Sequence, residues 1–272
     1  MTTPLATKSS RIAWNPADYA ANSSSQQAWA RELIARLKLR GDEHILDVGC
    51  GDGKVTAEIA RAVPKGLVTG IDASPEMIRF ARETFPPSKH ANLAFEVMDA
   101  RQIRWAERFD LVFSNAALHW VDDHPAFLRG SADCLRPGGR LVVSCGGKGT
   151  AQDVFAALRS AMRLKSWRGF FRRLERPYFF HDAEDYEKWL PRYGFASRGV
   201  RLADKDMVFE GRENFAGWFR TTWLPYTHRV PESEREAFIA AVVERYLARH
   251  PRDAAGRVRV HMVRLEIDAV KV

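Results

Sequence analysis

His44-Ile45-Leu46-Asp47-Val48-Gly49-Cys50-Gly51-Asp52-Gly53-Lys54 is the stretch from which the rest of the chain can be read. Ile45, Leu46 and Val48 form a short apolar run, as a strand covered on both faces requires. Gly49, Gly51 and Gly53 follow at alternate positions, where a missing Cβ lets the backbone turn sharply and lets a ligand approach the peptide groups. A helix opens just after, so its unpaired N–H groups and the positive end of its dipole face whatever sits on the turn. The arrangement is a seat for an anionic or dipolar group at the carboxyl end of a parallel strand.

The nicotinamide pattern has a third glycine three residues after the second. Here the run is G-x-G-x-G, position 54 is Lys54, and an acid, Asp47, stands two residues before the first glycine. Further short strands follow in order. Leu67–Asp72 ends in an acid about 20 residues after the turn, where a carboxylate accepts from both hydroxyls of a ribose. Asn92–Ala100 ends in Asp99, whose carboxylate can accept from an exocyclic adenine amine. Phe109–Ser114 is a fourth strand, closed by Asn115. Leu135-Arg136-Pro137-Gly138-Gly139 then turns the chain into a fifth, through Ser144. Ser74-Pro75-Glu76 reads as a helix start, Ser as cap and Pro in the first turn. That helix carries Met77, which with Ala73 is placed to sandwich an adenine or else packs as plain core.

As a set, these motifs resemble the class I S-adenosylmethionine (SAM) methyltransferases, with D-x-G-x-G-x-G as their first motif. The resemblance implies an α/β fold: a Rossmann-like seven-stranded sheet, mostly parallel with the last strand antiparallel, helices on both faces, and a helical cap inserted after strand five. The divisions expected are a disordered tail at 1–13, a SAM-binding core at 14–150 and a mostly helical cap at 151–228, with strand six near 197–202 belonging to the core. The final helix and strand of the core fill 229–272, and that strand is expected at the sheet edge.

The loop after strand four, Ser114-Asn115-Ala116-Ala117-Leu118-His119-Trp120-Val121, narrows the likeness. It lacks the prolines and the aromatic that amino-methylating DNA enzymes carry there. Ala-Leu-His-Trp-Val is similar to the loop of the trans-aconitate, juvenile-hormone-acid and malonyl-carrier-protein carboxyl methyltransferases. The likeness covers about residues 14–145. It implies SAM contacts from Gly49, Gly51, Asp72 and Asp99 and the Ala100 amide, with Asp47 and Asn115 at the same seat. It gives Trp120 a role in holding the substrate carboxylate, with His119 beside it, and puts Gln26 at a matching N-terminal position. Tyr19 is placed to bring its ring near the sulfonium, an attraction of roughly 0.5–2 kcal/mol.

The chain of 272 residues carries a formal charge of +8, which permits an anionic partner without demonstrating one. Between Arg159 and Arg176 there are seven basic side chains and one acid, Glu175, with aromatics interleaved. This reads as a solvated helical lid, as a surface for an anionic and partly apolar substrate, or as an RNA-binding stretch. Against nucleic acid, no recognised RNA-binding module continues the charge. Arg220-Thr221-Thr222-Trp223-Leu224-Pro225-Tyr226 is dense in donors, so Arg220, Trp223 and Tyr226 are candidates for the substrate, or equally for pinning the cap to the domain. No run approaches the ~18 apolar residues of a membrane span. Cys50, Cys134 and Cys145 are odd in number and lack C-x-x-C spacing, which fits a reducing cytoplasm and no metal site.

The expected function is SAM-dependent methylation of a small, anionic molecule by in-line transfer without a metal, a carboxyl oxygen being the first choice of acceptor. A carbon or nitrogen of a natural-product intermediate is the alternative acceptor, with His119 as the best candidate base and His228 and His261 behind it. A SAM-binding or RNA-associated protein without transfer activity is the reading from a different class.

Overall fold

The computed structural model describes residues 24–272, with side chains from Gln27 onward. Tyr19 and the expected tail at 1–13 lie outside the described residues, as does the side chain of Gln26.

Seven strands form one sheet in the order β3-β2-β1-β4-β5-β7-β6. Strands β1 (His44–Val48), β2 (Leu67–Asp72), β3 (Leu93–Val97), β4 (Phe109–Asn115) and β5 (Leu135–Gly146) run parallel, while β7 (Val258–Lys271) pairs antiparallel with both β5 and β6 (Phe195–Phe209). Parallel strands need crossovers, and the joining segments here carry α-helices, except between β3 and β4, where there is a single 3-10 turn. The Rossmann-like fold expected from the sequence is therefore the fold observed. Its final strand corrects one expectation: β7 is inserted between β5 and β6, and β6 forms the edge.

Helix boundaries follow local chemistry. α1 is Ser24–Leu37, and α2 is Lys54–Ala62, entered from Gly53 in the left-handed region. α3 (Pro75–Thr84) is capped by Ser74, whose Oγ accepts from Met77 N at 3.2 Å. α4 (His124–Cys134) is capped by Asp123, which accepts from Ala126 N at 2.9 Å. α5 is Gln152–Met162. α6 (Ala183–Trp189) opens in a capping box between Asp182 and Asp185. The segment 204–228, read as a helical cap element, is first the end of β6, then α7 (Gly211–Thr222) and the short α8 (Leu224–Thr227). α9 is Glu232–Leu247.

Three apolar clusters result. One face of the sheet is covered by α1, α2 and α3 through Leu33, Ile59 and Ile78, and the other by α4 and α6 through Phe127, Leu128 and Tyr186. The third joins α5, α7, α8 and α9 to the extended ends of β6 and β7, through Leu158, Phe219, Tyr226, Val242 and Val260. So α9 packs with the helices that follow β5, where the sequence reading had grouped it with the core. No helix among the described residues is long and apolar enough to cross a membrane.

Candidate active site

β1 and β4 are neighbours, and the chain leaves them in opposite directions, toward β2 and toward β5. Sheets of this kind bind ligands in the crevice at such a switch point. Here the crevice is lined by Asp47, Gly49, Cys50, Gly51, Asp52 and Lys54 from the glycine turn, by Asn115 and Ala116 from the end of β4, and by Gln27 from α1.

The turn needs its glycines. Gly49, Gly51 and Gly53 have φ of 76°, 54° and 81°, the left-handed region that side chains disfavour. Gly49 is also crowded: a β-carbon there would stand 2.1 Å from that of Ala117. The N–H groups of Gly49 and Cys50 both donate to Ile71 O, at 2.8 and 2.9 Å, which ties the turn to the end of β2.

Three carboxylates surround the turn. Asp47 is 2% exposed and accepts from Thr56 Oγ1 at 2.7 Å. Burial raises its pKa to about 7, against the pull of that hydrogen bond; the nearby charge of Asp72 adds to the rise. Asp72 accepts from Gly51 N at 3.1 Å through one oxygen and from Ser74 N at 2.8 Å through the other. Burial raises its pKa despite these two bonds. Asp52 accepts from Lys54 N, and its other oxygen lies 3.3 Å from Lys54 Nζ.

Asp99, at the end of β3, is held differently. Arg101 grips it with a two-pronged contact, Nε to Oδ1 at 2.9 Å and Nη2 to Oδ2 at 2.6 Å, and reaches Asp122 at 2.7 Å with Nη1. Asp99 is partly buried; although that raises its pKa, the bonds from Arg101 outweigh it and hold the carboxyl below its ordinary value. Ala100 opens the 3-10 turn that follows, half-buried. Met77 is buried and Ala73 exposed at the mouth of β2. Arg101 was not singled out from the sequence. Its signal would have been a guanidinium two residues after the strand-three acid.

The loop after β4 forms a short 3-10 turn, Leu118–Trp120. Its support lies beneath. His124 is fully buried, with Nε2 at 2.9 Å from Leu118 O and Nδ1 at 2.6 Å from the Tyr186 hydroxyl. Since a carbonyl only accepts, Nε2 carries the proton and Nδ1 accepts from the phenol. Burial, helped by the neighbouring His181, pushes His124 down to about 4.

His119 is locked from several sides. Its carbonyl accepts from Phe179 N at 2.9 Å, and its Nδ1 accepts from Gly146 N at 3.3 Å. Burial lowers its pKa to about 3, assisted by the charges of Arg264 and His124. The ring is therefore neutral, with its proton on Nε2. It stacks near Phe180 and Tyr178, at 6.1 and 6.2 Å. Trp120 meets Tyr178 at 4.6 Å.

The cap candidates part company. Trp223 and Tyr226 are buried and face Tyr178, at 5.8 and 6.2 Å, so they join the aromatic group behind Trp120. The indole N–H of Trp223 is buried and has no hydrogen-bond partner. Arg220 is not brought to this site: its guanidinium forks onto Glu236 at 2.6 and 2.8 Å on the surface. The basic stretch exposes Arg163, Lys165, Arg168, Arg172 and Arg173, while Trp167 and Tyr178 turn inward. His228 is exposed, and His261 faces Asp204 and Asp206 across the paired strands β6 and β7.

The seat fits SAM on structural grounds. The glycine cradle has no room for a β-carbon at Gly49, and Asp72 is fixed by two amides at the end of β2. A family model described as a methyltransferase domain matches residues 45–139. An uncharacterized methyltransferase of Schizosaccharomyces pombe is 34% identical over 80% of this chain and 84% of its own. A trans-aconitate 2-methyltransferase of Rhodopseudomonas palustris is 28% identical over 95% of this chain and 99% of its own. In fold, the chain is similar to the Haemonchus contortus phosphoethanolamine N-methyltransferase 2 solved with S-adenosyl-L-methionine, with a TM-score of 0.59 at 20% identity, over 94% of this chain and 56% of that one. The strand order, the glycine seat and these likenesses converge: the chain belongs to the class I SAM-dependent methyltransferases.

Proposed function

We propose that the chain methylates a carboxylate oxygen of a small organic anion, in the crevice between the glycine turn and the loop after β4. The observation that carries this reading is the state of His119. A hydroxyl, amine or enol acceptor must lose a proton, and His119 is the ring the sequence offers for that work. With its Nδ1 engaged by Gly146 and its pKa near 3, it takes up no proton at neutral pH. A carboxylate is already ionised there and needs no base. The likeness to trans-aconitate 2-methyltransferases along nearly the whole chain supports the same acceptor class.

SAM supplies a methyl group on positive sulfur: the oxygen–carbon bond forms as the carbon–sulfur bond breaks, its electron pair passing to sulfur, and no proton moves. The work of the chain is placement at about 3 Å and exclusion of water. In this reading Asp72 accepts from the ribose hydroxyls and Asp99 from the adenine amine, with the Ala100 N–H beside it. Gly49 and Gly51 let the backbone approach the methionine portion, with Asp47 and Asn115 at the same end. Ala73 and Met77 flank the adenine. Trp120 holds the acceptor, and Nε2–H of His119 offers it a donor. Trp223 and Tyr226 back this wall through Tyr178. The helices after β5, with α9, act as a cap on the acceptor side.

The test is release of S-adenosylhomocysteine over a panel of small carboxylic acids, trans-aconitate included, beside phenols and amines. The expected result is turnover of an acid, with an alkali-labile ester as product. Turnover confined to phenols or amines would overturn the carboxyl assignment.

A further inference from the structure

Arg264 is a charged side chain in the middle of β7 and is only 3% exposed. Its backbone lies opposite Gly146 of β5, and its side chain reaches back across β5 toward the crevice. Nη2 donates to Ser144 Oγ at 2.9 Å, to Ser144 O at 2.5 Å and to Asn115 Oδ1 at 3.1 Å, and Nε donates to Ser144 Oγ at 3.2 Å. The guanidinium lies 5.1 Å from the Trp29 ring, which fixes its plane from the α1 side. A buried guanidinium is kept only where its donors are satisfied, because desolvation costs several kcal/mol in effect. This one turns its fork to Asn115, which ends β4, and to Ser144 on the neighbouring β5. Asn115 and Ser144 are register partners across β4 and β5, and Asn115 lines the crevice.

We infer that Arg264 is a positioning residue for methyl transfer: through Asn115 and Ser144 it fixes where the end of β4, and the loop that leaves it, meet the cofactor seat. A carbonyl oxygen committed to Arg264 turns the Asn115 amide one way round. The same charge faces His119, together with His124 from α4, and both oppose its protonation, while the Tyr178 ring from the segment before α6 packs beside it with its hydroxyl turned to Thr222 O. One side chain thus sets the direction of a crevice amide and adds to the burial that keeps the neighbouring ring neutral. The inference rests on the crevice being the SAM seat.

The experiment is SAM binding by calorimetry on Arg264→Gln, Asn115→Ala and the double variant, with Arg264→Lys alongside. Arg264→Gln is expected to weaken SAM about tenfold and Asn115→Ala by a similar factor, while the double variant is no weaker than the poorer single, since both remove one link. Losses that multiply in the double variant, or wild-type affinity in Arg264→Gln, would overturn the role. Arg264→Lys keeps the charge but cannot span both partners, so an intermediate affinity is expected; affinity equal to wild type would refute the fork. Should Arg264→Gln not fold, Arg264→Lys carries the same cycle. Ring NMR supplies a second readout: the His119 titration should move to higher pH in Arg264→Gln than in the wild type, and an unmoved titration would remove the electrostatic part. Asp72→Ala separates the two levels. If it leaves SAM affinity intact, the seat itself is misplaced; if it weakens SAM while the Arg264 variants bind normally, only the role of Arg264 falls.

Discussion

Gly49 and Ala117 meet beside the crevice: a β-carbon on Gly49 would stand 2.1 Å from that of Ala117, although the two lie on turns leaving different strands. The glycine turn and the loop after β4 are therefore fitted to one another. Gly49→Ala must push the loop away and also adopt a φ of 76°, which costs a side chain about 1–2 kcal/mol. SAM affinity is expected to fall at least tenfold. Adding Ala117→Gly relieves the clash and leaves the strained φ, so the double variant should recover part of the loss. No recovery at all would mean that backbone strain, and not the contact, governs the turn.

Asp72 is the acid on which the ribose assignment stands, and it also organises Gly51 and Ser74. Asp72→Ala should weaken SAM several-fold or more by calorimetry, and Asp72→Asn, which keeps one acceptor oxygen, should weaken it less. Equal losses in the two would point to the amide anchors as the main role.

Asp47 lines the crevice, at the methionine end of the proposed SAM seat, with a pKa of about 7. A cationic ligand favours its ionised form, so binding below pH 7 should release a proton. Affinity should rise with pH through 6 to 8, and the calorimetric heat should depend on the ionisation enthalpy of the buffer; a buffer-independent heat would sink this. The sign for the free protein is opposite to that of an ordinary paired carboxylate. Because the folded pKa is raised from 3.8, the folded state holds the proton longer than the unfolded one, and stability falls as pH rises from about 4 to 7. Asp47→Asn should remove that slope, worth at most about 4 kcal/mol.

Tyr186→Phe removes the donor to His124 Nδ1 and leaves a buried acceptor unsatisfied, at a cost of about 1–3 kcal/mol. His124 holds the 118–120 turn through Leu118 O, so turnover should drop while SAM affinity changes little. A lowered melting temperature with full turnover would show that the turn does not depend on this support.

Trp120→Ala opens the contact with Tyr178 and should spare SAM while lowering turnover at least tenfold. Normal activity would remove Trp120 from the acceptor side.

Much of the parallel core could be read from residues alone, because its signals are local. Apolar runs, strand-end acids and glycines sit within a few positions of the features they determine, as Asp47, Gly49 and Asp72 do. What escaped the sequence depends on distant partners. Nothing near Arg220 announces Glu236 as its partner 16 residues on, and nothing near Arg101 shows that it will grip Asp99 and Asp122 together. The aromatics among the arginines of 159–176 look like a stacking surface in one dimension, yet Trp167 turns inward to meet Phe238. The place of β7 was missed for the same reason: alternation marks a strand but not the two neighbours it will lie between.

That insertion bears on how the enzyme comes into being. Strands β5 and β6 are both made before β7, and among the described strands neither borders the other. During synthesis one side of β5 and the whole of β6 must wait, their backbone groups unpaired, until residues 258–271 have left the ribosome and slid between them. Pairings so distant in sequence close slowly, and open strand edges invite association meanwhile. Arg264 travels on β7, so the nascent chain can hold its glycine seat early and still acquire the bracing of Asn115 and Ser144 only after residues 258–271 have emerged.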